Sequence, residues 1–268
     1  MATISRLKTF GFVLAMAIMP ILGFAQTTNP PSMVFVKGGT FKMGSVSGDA
    51  DEKPIHSVTL TSFYISKYEI TVAQYRAFCK ATNRKMPVEP PASWYEEHDH
   101  AVKWQWYDTY PIVNINWYDA NAYCKWLTET TGEEYSLPTE AQWEYAARGG
   151  HQSKHYVYAG SNEIDEVAWY DETTNEKGLK PVGRMKPNEL GIYDMSGNVW
   201  EWCSDFYGKY TATSQKNPIG QKSGNYKVIR GGSWYNMEDM CRSTLRDGPK
   251  PTFSDYYTGF RVVKKQAN

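Results

Sequence analysis

The chain has 268 residues, 41% of them hydrophobic and 22% charged, with 29 basic against 29 acidic side chains. That composition excludes a disordered, collagenous or coiled-coil protein, and zero net charge without a basic run argues against nucleic-acid binding. Aromatic side chains make up 15%, beside 21 Gly and 14 Pro. This balance suits a loop-rich fold anchored by large rings rather than by long amphipathic helices.

The N-terminus reads as a secretory signal over residues 1–25. Arg6 and Lys8 form its basic region, residues 10–22 its apolar stretch, and Gly23-Phe24-Ala25 the small-residue end, with cleavage expected after Ala25. The apolar run is shorter than the ~20 residues a membrane span needs, and Pro20 interrupts it. No Cys follows it, so a lipid anchor is not expected there. The expectation is a periplasmic or secreted protein without a membrane span after cleavage, where disulfides can form.

Residues 26–32 read as an exposed lead-in, and 33–265 as a single domain. MVFVKGGTFKM (33–43) predicts two short strands as a hairpin around Gly38-Gly39, and HSVTLTSFYI (56–65) a further β-prone run. Thr71 opens a helix with Gln74 as its capping-box partner. Residues 83–111, rich in Pro, Trp and Tyr, read as a long loop. A second helix runs from about Trp117 to Thr130, with Asn116 as N-cap and Ala120, Tyr123, Cys124 and Leu127 on one face. Pro138-Thr139-Glu140-Ala141-Gln142 opens a third, which Gly149-Gly150 ends. Beyond residue 150 the pattern is strands and turns, with strands expected at 191–193, 199–203, 228–234 and 259–263.

Phosphate-binding glycine loops, the GxSxG elbow, HExxH and CxxC are all absent. In a strand, His98 and His100 would share a face beside Glu96 and Glu97, as a transition metal requires; the plainer reading is a solvated acidic loop. Arg230, Arg242, Arg246 and Arg261 either pair with carboxylates such as Glu140, Glu144 or Asp205, or floor a pocket.

Five stretches in order carry more information than any single motif. They are MVFVKGGTFKMG (33–44) with EKPIH (52–56), FYISKYEITVAQY (63–75), SLPTEAQWEYAARGG (136–150), NELGIYDMSGNVWEWCSD (188–205), and RGGSW (230–234) closing with Gly259-Phe260-Arg261. Together they resemble the formylglycine-generating enzyme, or sulfatase-modifying factor, family. The resemblance implies a C-type-lectin-like α+β fold, secretion, and often bound calcium. The founding activity oxidises a sulfatase cysteine to formylglycine with oxygen and a copper ion held by two cysteines.

The chain departs from that catalytic pattern. Counting forward from Trp234, the first copper cysteine position holds Asn236 and the second Cys241. Counting back from Arg242 and Arg246, Cys241 falls outside the site. Either way a thiolate is missing, and a neutral amide does not replace it for copper(I). Copper is therefore not expected, and Cys241, Asn236 and Arg242 are left as the candidate pocket. By resemblance, calcium is expected from the Asp194 side chain, the Gly197 and Val199 carbonyls and the Glu201 carboxylate; a second family site near Val167 and Ala168 lacks side-chain oxygens. Cys124 matches a family disulfide position whose partner is Val262 here, and the positions of a second bridge hold Ala147 and Ser243. Of the three pairings four cysteines allow, Cys79–Cys124 and Cys203–Cys241 are expected. The functional expectation is a family member with a different oxidative or maturation activity. The alternative is a non-catalytic lectin-like protein binding a peptide, protein or glycan, with the aromatic stretch 94–110 as a stacking surface or a lid; formylglycine formation itself is the least favoured.

Overall fold

The structure is a computed structural model that describes residues 30–89, 105–174 and 178–266. The signal segment, most of the lead-in, the His98/His100 motif and the first part of the 94–110 stretch lie outside the described residues.

Strands β1 (Met33–Val36) and β2 (Gly39–Met43) form as expected, but not as a hairpin. β1 pairs antiparallel with β4 (Phe63–Ser66), while β2 pairs antiparallel with β3 (His56–Leu60). The reason lies at Gly38, where a Cβ would sit 2.4 Å from the Leu60 carbonyl oxygen. The glycine lets the chain cross closely from one sheet to the next instead of turning back on itself. β4 also pairs with β11 (Val263–Lys265), which pairs with β5 (Tyr135–Ser136), so both ends of the domain share one sheet in the order β1-β4-β11-β5. The second sheet has the order β10-β6-β8-β9, from Thr258–Gly259, Trp200–Phe206, Lys227–Arg230 and Arg246–Asp247. The third joins β2, β3 and β7 (Gln215–Lys216).

The helices follow their caps. In α1 (Val72–Thr82) the Gln74 amide donates to Thr71 Oγ1 at 3.4 Å, and Gln74 Oε1 accepts from the Thr71 amide at 3.0 Å. Asn116 caps α2 (Trp117–Thr131) and Thr139 caps α3 (Glu140–Ala147) in the same reciprocal way. α2 ends at Gly132 (φ 75°), and α3 ends just before Gly149 (φ 81°). α4 (Asp171–Thr174) is one turn.

Three expected strands are corrected. Residues 191–193 form a turn, gathered by Asn188 Oδ1, which accepts from the Leu190 and Ile192 amides. The run 228–234 stops at Arg230, because Gly231 (φ 102°) and Gly232 (φ 73°) leave the extended region. The run 259–263 divides between β10 in the second sheet and β11 in the first.

α1 and α2 bury Tyr75, Phe78, Tyr123 and Leu127 against Trp202 and Phe260. Phe78 and Tyr123 meet edge-on at 5.6 Å, and Tyr123 and Phe260 at 5.3 Å. Such pairs each add about 0.5–1.5 kcal/mol beyond their buried area. A second cluster packs Trp143 and Tyr145 of α3 against Val58, Ile65 and Val228.

The arginines are paired. Glu140 and Glu144 lie one turn apart on α3. Arg246 holds both Glu140 oxygens at 2.6 and 2.7 Å, and Arg230 donates to Glu144. Arg261 donates to both Glu201 oxygens, each at 2.6 Å. Asp205 does not join an arginine; its Oδ2 accepts from the Glu140 amide and from Ser204 Oγ, both at 3.0 Å.

The expected disulfides are also corrected. Cys79, Cys124, Cys203 and Cys241 are free, buried thiols. Cys79 Sγ donates to the Lys85 carbonyl at 3.5 Å. Cys203 packs in the α3 cluster, whereas Cys241 packs with Tyr158, Ile164, Val167, Ala168 and Tyr170. The two strand regions are neighbours, but the two thiols belong to different parts of the core. Among the described residues no helix is long and apolar enough to cross a membrane.

Candidate functional site

After the positive-φ pair Gly231-Gly232 the chain leaves β8 and runs through Ser233 to Asn236 into a 3-10 turn, Glu238–Cys241. Asn236 lines a cleft of ≈ 330 Å³ with Tyr235, Tyr257, Phe253, Asp247 and Asp255. Its Oδ1 accepts from Ser233 Oγ at 2.7 Å, and its Nδ2 faces Met240 Sδ at 3.3 Å. Tyr235 and Tyr257 stack with ring centroids 5.1 Å apart and planes 26° apart, forming an aromatic wall. Burial pushes the Asp255 carboxyl up from its ordinary range, while the Tyr257 amide donates to it at 3.0 Å.

The other two predicted pocket residues lie elsewhere. Cys241 is fully buried, and burial pushes its thiol up to about 12, with the charge of Asp239 adding to the shift. At neutral pH the thiol form therefore predominates in the absence of a metal. Arg242 turns to Glu52, donating to its two oxygens at 2.8 and 3.0 Å, and reaches Asp49 at 3.5 Å. It ties the 3-10 turn to the loop before β3. Asn236 is therefore the one predicted residue in the cleft, and no cysteine lines it.

The residues expected to hold calcium occupy one segment, with mixed fitness. Asp194 sits in the left-handed region (φ 56°); its Oδ2 accepts from the Gly183 amide at 2.6 Å, and its Oδ1 is buried without a partner. Burial pushes Asp194 up to about 6; the charge of Glu201 adds to this, and the Gly183 amide and Arg261 oppose it. Glu201 is already engaged by Arg261, and by the Trp143 indole at 2.6 Å. Glu69, from the FYISKYEITVAQY stretch, was not singled out from sequence. It accepts from Asn198 Nδ2 at 2.7 Å and from the Val199 amide at 3.2 Å. Burial, then the charges of Asp194 and Glu201, hold its carboxyl well above the usual range. Three buried carboxyls thus share Arg261. Asp194 Oδ1 fits a cation, Glu201 would have to share its oxygens with a guanidinium, and no trio of His, Cys, Asp or Glu among the described residues surrounds one point.

A sulfatase-modifying factor enzyme 1-like domain matches residues 21–266. The chain belongs to this family. A sulfatase-modifying factor relative, the formylglycine-generating enzyme of Thermomonospora curvata, is 31% identical over 289 residues, covering 86% of this chain and 92% of that protein. A serine/threonine-protein kinase of Chlamydia pneumoniae is 32% identical over 250 residues; the match covers 87% of this chain but only 38% of the kinase. Among solved structures, PvdO from Pseudomonas aeruginosa superposes with a TM-score of 0.74 at 29% identity, over 91% of this chain and 97% of that one. The α+β sulfatase-modifying factor fold expected from sequence is the fold observed.

Asp247 of β9 and Phe253, Asp255 and Tyr257 of the segment after it were missed in the sequence because no local spacing ties them to Asn236; the chain must fold back to bring them to it. The only local signal was the aromatic density around Tyr235.

Proposed function

We propose that this chain is a secreted sulfatase-modifying factor family member that does not form formylglycine, and that its Asn236 cleft binds a glycan. The observation that carries this reading is the cleft itself: the Asn236 amide, which one alignment with the family sets at a copper-cysteine position, lines it beside a stacked tyrosine pair, and no cysteine does. A sugar ring lays its apolar C–H face on aromatic rings and hydrogen-bonds through its hydroxyls. Tyr235 and Tyr257 supply the first kind of contact, and Asn236, Asp247 and Asp255 the second. The basic and apolar pattern of residues 1–25 supports export, which would place the cleft among extracellular or periplasmic glycans.

Incubation with copper, oxygen and a Cys-X-Pro-X-Arg peptide should yield no aldehyde by mass spectrometry, and a glycan array should show binding that Tyr257→Ala abolishes. Aldehyde formation that survives Cys241→Ser, or an array with no bound glycan, defeats the proposal.

Calcium belongs to the same proposal as a structural ion near Asp194, supported by the partnerless Asp194 Oδ1 and the excess of buried carboxyl groups over Arg261. When bound it would supply positive charge that the segment lacks. Calcium at ~100 times its dissociation constant adds ~2.7 kcal/mol to stability. The expected outcome is a higher melting temperature in calcium than in chelator, lost in Asp194→Ala. Identical melts for the wild type rule calcium out.

A further inference from the structure

On the other side of the second sheet lies a second cavity, of ≈ 380 Å³, that shares no residue with the Asn236 cleft. β9 separates them: Arg246 lines this cavity and its neighbour Asp247 lines the cleft, as successive strand residues point to opposite faces. One wall is the segment 208–221. It is held by Arg246 Nη1 on the Gly208 carbonyl at 2.7 Å, by the pairing of β7 with β3, and by a bridge between Phe206 and Gln221.

The polar groups facing this space are unevenly satisfied. Glu140 is fully engaged by Arg246 and by the Tyr210 hydroxyl at 2.9 Å, and the Arg246 Nη1 and Nε groups end on Gly208 and Glu140. Asp205 is 3% exposed, and its Oδ2 is engaged while its Oδ1 has no hydrogen-bond partner among the described residues. His56 is also 3% exposed; its Nδ1 lies 3.1 Å from the Pro54 carbonyl, an acceptor. A carbonyl only accepts, so in a neutral ring Nδ1 carries the proton and Nε2 is an acceptor, with no hydrogen-bond partner among the described residues. The cavity therefore presents two unused acceptors, Asp205 Oδ1 and His56 Nε2, while the Lys209 ammonium also lines it. Gln215, Gln221, Thr211 and Thr213 add amide and hydroxyl groups around it.

We propose that this cavity binds a small hydrophilic amine carrying hydroxyl groups, with its ammonium on Asp205 Oδ1. An ammonium brings three donors and a positive charge, matching a carboxylate and an imidazole lone pair, and hydroxyls suit the amides and threonines of the wall. The affinity depends on pH. Burial, and then the charge of Glu140, push Asp205 up to about 7, with the amide of Glu140, Ser204 Oγ and Lys227 opposing. The other charged or titratable groups lining the space are His56, Lys209, Tyr210 and Arg246, the last neutralised by Glu140. Below that pH a proton competes with the ammonium for the carboxylate; above it the carboxylate is free to bind.

Titration calorimetry compares glucamine, a polyol ending in a primary ammonium, with sorbitol, the same polyol ending in a hydroxyl. At about pH 8, glucamine should bind at least about tenfold more tightly than sorbitol, and this preference should shrink at about pH 6. Asp205→Asn keeps an acceptor for the Glu140 amide and removes the charge, so it should abolish the preference. Gln221→Trp adds bulk to the cavity wall while Asp205 itself is unchanged, and should abolish binding even if the Asp205 variant does not fold. Equal affinity for the two polyols, no binding of glucamine, or a preference that survives either variant overturns the proposal.

Discussion

Arg230 is fully buried and meets Glu144, itself fully buried, while Glu144 Oε1 also accepts from the Gly44 amide at 2.9 Å and from Arg148 at 3.0 Å. Removing one partner of a buried pair leaves an uncompensated charge and costs about 3–5 kcal/mol. Exposed pairs contribute far less, since water screens them and two long side chains must be ordered. Glu144→Ala should therefore lower unfolding stability in urea by about 3–5 kcal/mol, whereas Lys265→Ala, which removes the exposed pair with Glu134, should change it by less than about 1 kcal/mol. Equal effects would show that the α3 charges are solvated in solution. The sign of their pH dependence follows from Glu140: Arg246 and Arg230 overcome its burial and hold its carboxyl below the ordinary value. Its stabilising contribution is present above the unfolded carboxylate pKa and is lost as pH falls through the lowered folded one.

α3 is only eight residues long, yet it supplies Glu140 and Glu144 to the core and Trp143 to Glu201. A helix this short is not stable by propensity; packing and its cap hold it. Thr139 Oγ1 accepts from the Gln142 amide at 3.2 Å, Gln142 Oε1 accepts from the Thr139 amide at 2.9 Å, and Asp205 accepts from the Glu140 amide. Thr139→Ala should cost about 1 kcal/mol in the same denaturation experiment, and Thr139→Ser much less. A neutral Thr139→Ala would mean that Asp205 alone satisfies the helix start. The caps were legible because a capping box is written within four consecutive residues. The hairpin expected at Gly38-Gly39 failed for the complementary reason: which strand β1 and β2 pair with depends on residues 56–66, and the glycine pair signals close approach without naming the neighbour.

Across the whole molecule the four cysteines are free and buried, Cys79 and Cys124 in the α1–α2 core and Cys203 and Cys241 in two other clusters, and burial pushes the thiols up, Cys241 to about 12. Such thiols should resist a disulfide-exchange reagent in the native protein, and all four should react once it is denatured without reductant. Fewer than four would restore one of the pairings expected from sequence.

The sequence by itself determined the family, the three capped helices and the α+β class, because these rest on local spacing and on motifs in a preserved order. Of its three candidate pocket residues, Asn236, Cys241 and Arg242, one lines the cleft. Tertiary structure alone decided that Arg242 reaches Glu52 rather than a pocket, that Arg261 engages the Glu201 carboxylate, and that Asn236 shares a cleft with Tyr257 and Asp255. Arg242 and Glu52 are 190 positions apart, and Arg261 and Glu201 are 60 apart. Charge and size in the chain say that a buried arginine needs a carboxylate; only the packing of the three sheets says which carboxylate is within reach.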